Sequence, residues 1–468
     1  TAIPIALGLF GIAANWRRER KVLVLNATNL LVNSLGLILF LNFSANEVRE
    51  RDYFYDPAFY FFAVFIGIGV TSLLVGAAEW AKGKGKEAVG YVVPLGALCV
   101  FLSILPAHHN WFEHDQSKNF IAHDVGYNML AGLEPEAIIF VNGDNDTYPL
   151  WYMQNVEHFR TDVCIAQLSL LNTDWYIKQL RDREPKAPIT LTDDEIARLH
   201  PVALANGSVA WKNDLLVQHI IQAADWKRPL YFAKTVAQEE WQPYERYLES
   251  QGLVMRLVPY QGDRLINGFL MRRNFDEIFK FSGILTKDWR VDNSLYKEND
   301  LDVILNNYGV AAAELANTLG KDKDYAGAAQ WMEIALRFDS GLKPASIMLG
   351  TYYYLNNQRD EAIAQFRKMI QVDPGEAEYW LRLAWIYGED QPAVALRTID
   401  EAISRIPDGR QLYIDGFRYA AHAGLVDSAK RYIQRWLERH PDDNEMRSAF
   451  SDVDSLIRAD YGAPAGAR

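Results

Sequence analysis

"AIIFVNGDNDTYPLWYMQ", residues 137–154, opens as a buried strand and closes as an aromatic helix start, with Asn142, Gly143, Asp144, Asn145, Asp146 and Thr147 between. A strand that hands over to a helix through a small polar loop is the repeating unit of an α/β layer. The hand-over recurs where "DVCIAQLS" (162–169) runs into "NTDWYIKQLR" (172–181). Two more apolar runs, "PLYFAKTV" (229–236) and "LVMRLVP" (253–259), alternate with the helical segments "WKNDLLVQHIIQAA" (211–224) and "PYERYLESQ" (243–251). This pattern predicts an α/β domain over residues 107–300 with a mostly parallel sheet. In such sheets the loops leaving the C-terminal strand ends line the ligand crevice. Residues 142–148 and 172–176 occupy those positions, and if their strands are neighbours the two loops converge.

Upstream, residues 1–106 carry apolar stretches at 1–15, 22–44, 57–78 and 88–106, spaced by the basic joints "WRRERK" (16–21) and "KGKGK" (82–86). The middle two have the length a bilayer core demands; the fourth is short and the first truncated. The pattern predicts a partial α-helical transmembrane bundle. The joint at 46–57 holds two Arg against four acids, so the positive-inside rule puts the two basic joints in the cytoplasm and everything after residue 106 outside it. This predicts a multi-pass membrane protein whose remainder lies outside the cytoplasm, which is the periplasm where the membrane is a bacterial inner one. Its expected partners are membrane lipid and protein. The polar patch "ATNLLVNSLG" (27–36) suits a helix facing other helices. The abrupt apolar start leads us to expect the C-terminal portion of a longer chain.

Charge divides the same way. Residues 1–106 hold nine basic and seven acidic residues, leaving 39 against 53 for the remainder, and so acidic a segment is a poor nucleic-acid binder. The two cysteines, Cys99 and Cys164, fall in different regions and offer neither a disulfide nor a thiolate zinc site.

Downstream, Pro374, Pro407 and Pro441 close helical segments 33 and 34 residues apart, with Ser340 one repeat earlier. This is the tetratricopeptide period. About four repeats over 301–441, an all-α solenoid, are followed by an amphipathic cap within 442–468. Leu349, Gly350, Tyr353, Ala362 and Phe366 mark the best unit.

The candidate site residues admit several chemistries. Asp144 and Asp146 with Asn142 could hold a divalent cation, since hard ions prefer carboxylate and amide oxygens. Asp146 or Thr147 as N-cap, with Asn145 in a left-handed turn, would make the same stretch a helix start and nothing more. Asp174, Trp175 and Tyr176 join aromatic faces to a carboxylate, which suits a sugar ring and equally suits capping and packing. His114, Asp115 and Asp124 follow the fourth apolar run closely enough to meet a ligand at the membrane surface, or to fix the domain against the membrane. The histidines His108, His109, His114 and His123 lack the spacing of a closed zinc site.

"HDQS" (114–117), "AHD" (122–124), "NGDNDTYPLWY" (142–152), "RTDV" (160–163) and "SLLNTDWYI" (169–177) resemble, in order and spacing, the bacterial membrane family catalogued as domain of unknown function 2723. The resemblance runs over residues 20–260, with departures at Gln116 and His123, where the family pattern has Arg. That family is similar to protein O-mannosyltransferases of the polytopic GT-C class, whose animal relatives carry tetratricopeptide repeats. The resemblance implies a membrane glycosyltransferase that takes a lipid-phosphate-linked sugar donor to protein acceptors on the exoplasmic face, with acceptor bound by the α/β and repeat domains. It further implies catalytic residues in an earlier exoplasmic loop, so none is assigned here. A non-catalytic membrane-anchored repeat scaffold is the competing reading.

Overall fold

The computed structural model describes residues 2–42, 52–203, 207, 209–297, 301–388 and 390–451. The chain forms two compact units, one comprising residues 1–118 with 294–301 and the other residues 119–293 with everything from 302 onward.

In the first unit the apolar runs are helices. Those spanning Arg20–Leu41, Tyr53–Gly83 and Val89–His109 are long and apolar enough to cross a membrane. The leading helix, Ala2–Arg18, is a turn shorter. At 1.5 Å per residue its 17 residues reach about 26 Å, less than a hydrocarbon core of about 30 Å. Glycine brings it against the third helix: a Cβ on Gly11 would stand 1.9 Å from the Phe65 carbonyl oxygen, and one on Gly69 2.1 Å from that of Leu7. Such small-residue crossings let backbones meet inside lipid. The polar patch in the second helix bonds largely to its own backbone. Asn29, Asn33 and Ser34 donate to the carbonyls four residues back, beside a π-turn at Val32–Gly36. Asn26, one turn earlier, is buried within the unit, as a helix facing other helices requires.

In the second unit the strands are β1 (Ile138–Val141), β2 (Cys164–Gln167), β3 (Val202–Ala203), β4 (Val209–Ala210), β5 (Leu230–Ala233), β6 (Leu248–Ser250), β7 (Val254–Leu257) and β8 (Leu265–Ile266). Strands β3 and β4 form a separate small hairpin, and the main sheet has the order β2-β1-β5-β7-β6-β8. β1, β2 and β5 are buried at every residue, as parallel strands covered on both faces must be. β1 pairs in parallel with both β2 and β5, and the rings of Phe140 and Phe232 meet at 4.9 Å in that register.

The expected mostly parallel sheet is a mixed one, because β7 runs antiparallel to both β5 and β6. The cause lies in "PYERYLESQ", expected to be a helix. Only a 3-10 stretch forms, at Gln242–Tyr247; Leu248–Ser250 then becomes β6 and turns into β7 through Gly252 at φ +111°. That backbone conformation suits glycine alone.

From Asp302 the chain makes four antiparallel helix pairs: Asp302–Lys321 with Tyr325–Phe338, Lys343–Leu355 with Arg359–Val372, Ala377–Gly388 with Pro392–Arg405, and Arg410–His422 with Val426–Arg439. The expected prolines follow the second helices of the last three pairs by two residues. Gly350 faces the Phe366 ring and Gly416 the Tyr432 ring, each across 16 residues, and a Cβ at either would lie 2.6 Å from the ring. Gly350→Ala is therefore expected to cost about 1–3 kcal/mol by overpacking, seen as earlier thermal unfolding of the repeats. Of the expected cap, Asn444–Ser451 is helical after a turn at residues 441–442, and residues 452–468 lie outside the described residues.

The repeats do not hang free of the sheet. Phe275 meets Trp331 at 5.2 Å, and Phe281 and Tyr308 both pack on Phe338. Asn128 donates to the Tyr308 hydroxyl at 2.7 Å and to the Lys280 carbonyl at 2.8 Å. Sheet domain and first repeat share one core.

Candidate functional site

Three loops meet at the C-terminal edge of β2, β1 and β5. After β1 the chain turns at Gly143 (φ +82°) and enters the helix Asp144–Asn155. Gly143 is thus the N-cap, a role the sequence had suggested for Asp146 or Thr147. Asn145 is helical rather than left-handed. Thr147 turns its hydroxyl back to the Gly143 carbonyl at 2.7 Å. Asp146 is buried, and the Thr235 hydroxyl, just beyond β5, donates to it. β1 leads to β2 on one side and β2 crosses to β5 on the other, so the β1–β5 gap is the switch point at which α/β sheets take ligands.

Burial pushes the Asp146 carboxyl up to about 6, against the Thr235 hydroxyl and the Asn142 backbone N–H, which favour the charged form. Beside it lies a void of about 20 Å³, lined by Asn145, Asp146, Lys234, Thr235 and Tyr308, room for one water. Burial also drives the Lys234 ammonium down, and its partner Glu314, from the first repeat helix, opposes that. Glu314 further accepts the Ser250 hydroxyl at 2.7 Å. The inner part of the switch point is therefore closed by the repeats.

The outer part is open. As expected, the loops after β1 and β2 converge: Ser169 donates to Asn142 Oδ1 at 2.8 Å. The helix Lys212–Ala224 brings its N-terminus to the same edge, where the Asn213 backbone N–H reaches Asn172 Oδ1 at 3.2 Å. Asn213 Nδ2 donates to both Glu240 oxygens, at 3.2 and 3.1 Å. Burial, then the neighbouring Asp214 charge, raises the Glu240 carboxyl. Lys212 Nζ bonds Asp174 at 2.5 Å and the Ile196 carbonyl at 2.9 Å, and the first of these bonds holds the Asp174 carboxyl below its usual range.

The sequence-derived candidates separate into two sets. Asp144, Asn145 and Trp175 face solvent, and Asp174 is half-exposed beside Lys212. Tyr176 is internal; its hydroxyl donates to the Ile165 carbonyl at 3.0 Å and accepts the Gln167 N–H at 3.1 Å, holding β2. Asp124 is buried as well, accepting the Ser282 N–H at 2.9 Å and touching His123 Nδ1 at 3.0 Å, so it fixes the 280s loop instead of reaching outward. His114 and Asp115 belong to the first unit. His114 ends the one-turn helix Trp111–His114. Asp115 accepts the Ser117 N–H at 3.0 Å, and Ser117, through its hydroxyl first and this N–H second, lowers the Asp115 carboxyl. Sequence reasoning missed Lys212, Asn213, Lys234, Thr235 and Glu240. One signal was available: "YFAKT" places a lysine directly after a fully apolar strand, where only a partner elsewhere in the chain can compensate it.

The family profile described as TMEM260-associated domain 2 matches residues 122–200 and 190–274. This span takes in the main sheet and its site-bearing loops. Among solved structures, a thermophilic TPR protein in Thermus thermophilus aligns at 15% identity over 34% of this chain and 91% of its own, with a TM-score of 0.26. YrrB, described as a TPR protein with an unusual peptide-binding site, aligns at 18% identity over 35% of this chain and 86% of its own, TM-score 0.24. The MamA protein aligns at 16% over 32% and 84%, TM-score 0.25.

The repeats hold a second concavity. Helices Ala377–Gly388 and Arg410–His422 enclose about 530 Å³, with Leu381, Trp385 and Tyr419 as its apolar lining. Its charges are paired in place, Arg382 with Glu378 at 2.7 Å and Arg418 with Asp415 at 3.1 Å.

Proposed function

We propose that this protein serves sugar transfer to protein at a membrane surface: a glycosyltransferase-like chain of the O-mannosyltransferase kind, whose repeats and sheet edge bind the acceptor polypeptide. The observation that carries the acceptor-binding part is the groove at Trp385. Its volume suits one or two side chains of an extended segment, and Leu381, Trp385 and Tyr419 among polar and charged neighbours offer a polypeptide both apolar contact and hydrogen bonds. The chemistry rests on the resemblance, with a lipid-phosphate-linked sugar as donor and the exoplasmic face as its location. Asp144, Asn145, Asp174 and Trp175 are the exposed groups at the sheet edge available to acceptor or sugar.

The test is sugar transfer to protein by membranes carrying the intact protein. Trp385→Ala with Tyr419→Ala is expected to raise the acceptor KM about tenfold while leaving kcat nearly unchanged, the signature of lost uniform binding. Asp144→Asn is expected to lower transfer with the fold intact, whereas Asp174→Asn also takes the counter-charge from buried Lys212 and is expected to lower both transfer and thermal stability. Acceptor binding that persists without any transfer by the parent protein would leave a scaffold. That reading draws support from Asp124, Thr147 and Tyr176, whose polar groups are engaged within the domain.

A further inference from the structure

The helices Ile121–Ala131 and Asp144–Asn155 lie side by side, so close that a Cβ on Gly126 would stand 2.7 Å from the Pro149 carbonyl oxygen. Their inner faces are core: Val125, Met129, Leu150 and Met153 are buried. The outer face is aromatic and uncovered. Phe120, Tyr148 and Tyr152 are 53%, 58% and 44% exposed. Their rings join through neighbours, Phe120 to His123 at 6.2 Å, His123 to Tyr152 at 6.4 Å, and Tyr148 to Trp151 at 5.9 Å. Positions 148, 151 and 152 fall on one side of the helix, so the arrangement is one stripe rather than scattered exposure. A contiguous patch of this kind in a folded domain calls for an occupant.

Two observations choose among occupants. The first is covalent. Phe120 comes eleven residues after His109, the end of a membrane-length apolar helix, and eleven extended residues reach at most about 40 Å. The domain carrying the stripe is therefore tethered to a span, within reach of the headgroup layer. The second is chemical. Neither helix contains a Lys or Arg, and the stripe is made of Phe, Tyr, Trp and His, the amphipathic rings that prefer the membrane–water boundary over either solvent. A basic face would instead have pointed to anionic lipid or an acidic partner.

We propose that the Phe120–Tyr148–Trp151–Tyr152 face rests in the interfacial layer of a bilayer, held by ring insertion and indifferent to lipid charge. This lies outside the acceptor-binding function: it concerns where the sheet domain sits, not what its edge binds.

The test uses the full chain in phosphatidylcholine bilayers, with Cys99→Ala and a nitroxide label on Tyr148→Cys or Tyr152→Cys. Cys164 is fully buried, and burial pushes its thiol up to about 12, so it stays unlabelled. Val372→Cys, in the repeats and 80% exposed, is the aqueous control. We expect the ratio of oxygen to nickel-chelate collision rates at 148 and 152 to exceed that at 372 by roughly threefold or more, as interfacial depth requires. The ratio should not change when a third of the lipid is made anionic. Ratios equal to the control would overturn the proposal. So would spin–spin broadening at 148 with no oxygen preference, since that would place a second copy on the stripe. Unchanged melting of each labelled variant confirms that exposed positions, and not a disrupted fold, are being read.

Discussion

Glu314→Ala is expected to destabilise the second unit by about 3–5 kcal/mol, the usual consequence of leaving one member of a buried ion pair without its partner. Lys234 supplies the reason. It directly follows β5, its side chain is 8% exposed, and its ammonium has Glu314 as the counter-charge. Removing the carboxylate also strips Ser250 of its acceptor. The pH dependence separates this cause from simple loss of packing. Burial already holds the Lys234 pKa below its unfolded value, and without Glu314 it falls further. The unfolded chain then binds more protons than the folded one between the folded pKa and about 10.4, so the variant regains stability as pH rises through that window. Replacing both groups at once, Lys234→Met with Glu314→Leu, should cost far less than the single change and can stabilise. Thermal unfolding of the three proteins at pH 7 and pH 10 decides it. Equal losses in the single and double variants would show that the pair carries no special charge penalty.

That pair also shows what the sequence could and could not disclose. Local pattern was enough for the membrane-length helices, for the strands β1, β2 and β5, and for the helical repeats, because each depends on a run of apolar residues or a fixed period. It failed at Leu248–Ser250, where "PYERYLES" carries a helix-like spacing of aromatic and charged residues and only the pairing with β7 and β8 makes a strand. It failed again at the site, for a related reason. Asp146 meets Thr235 from 89 residues away, Lys212 meets Asp174 across 38, and Lys234 meets Glu314 across 80. None of these partners can be named before the topology is known. The loop convergence, by contrast, was legible, because neighbouring parallel strands send their C-terminal loops to one edge whatever the side chains are.

Asp146→Asn is expected to make the protein more stable at neutral pH, by as much as about 3 kcal/mol, while leaving it unchanged near pH 4. The carboxyl's ordinary value of 3.8 is pushed up to about 6 in the folded state, because burial penalises the anion more than Thr235 and the Asn142 N–H support it. Between those values the folded chain binds more protons than the unfolded one, so stability declines as pH rises from about 4 to 6 and stays reduced above it. Asparagine keeps an acceptor for Thr235 without a charge to bury, although its amide group faces the Asn142 N–H and forfeits part of the gain. The measurement is thermal unfolding of parent and variant across pH 4 to 8: the two curves should coincide at the acid end and diverge through pH 6. Parallel curves would mean that Asp146 ionises normally and that the switch point is not charged at a cost. Divergence would identify a buried anion retained against stability at the β1–β5 gap, which is the behaviour of a group that positions the exposed loop above it rather than one kept for the fold alone. The same variant assayed for sugar transfer then reads that role directly, since a more stable protein that transfers less leaves no structural explanation for the loss.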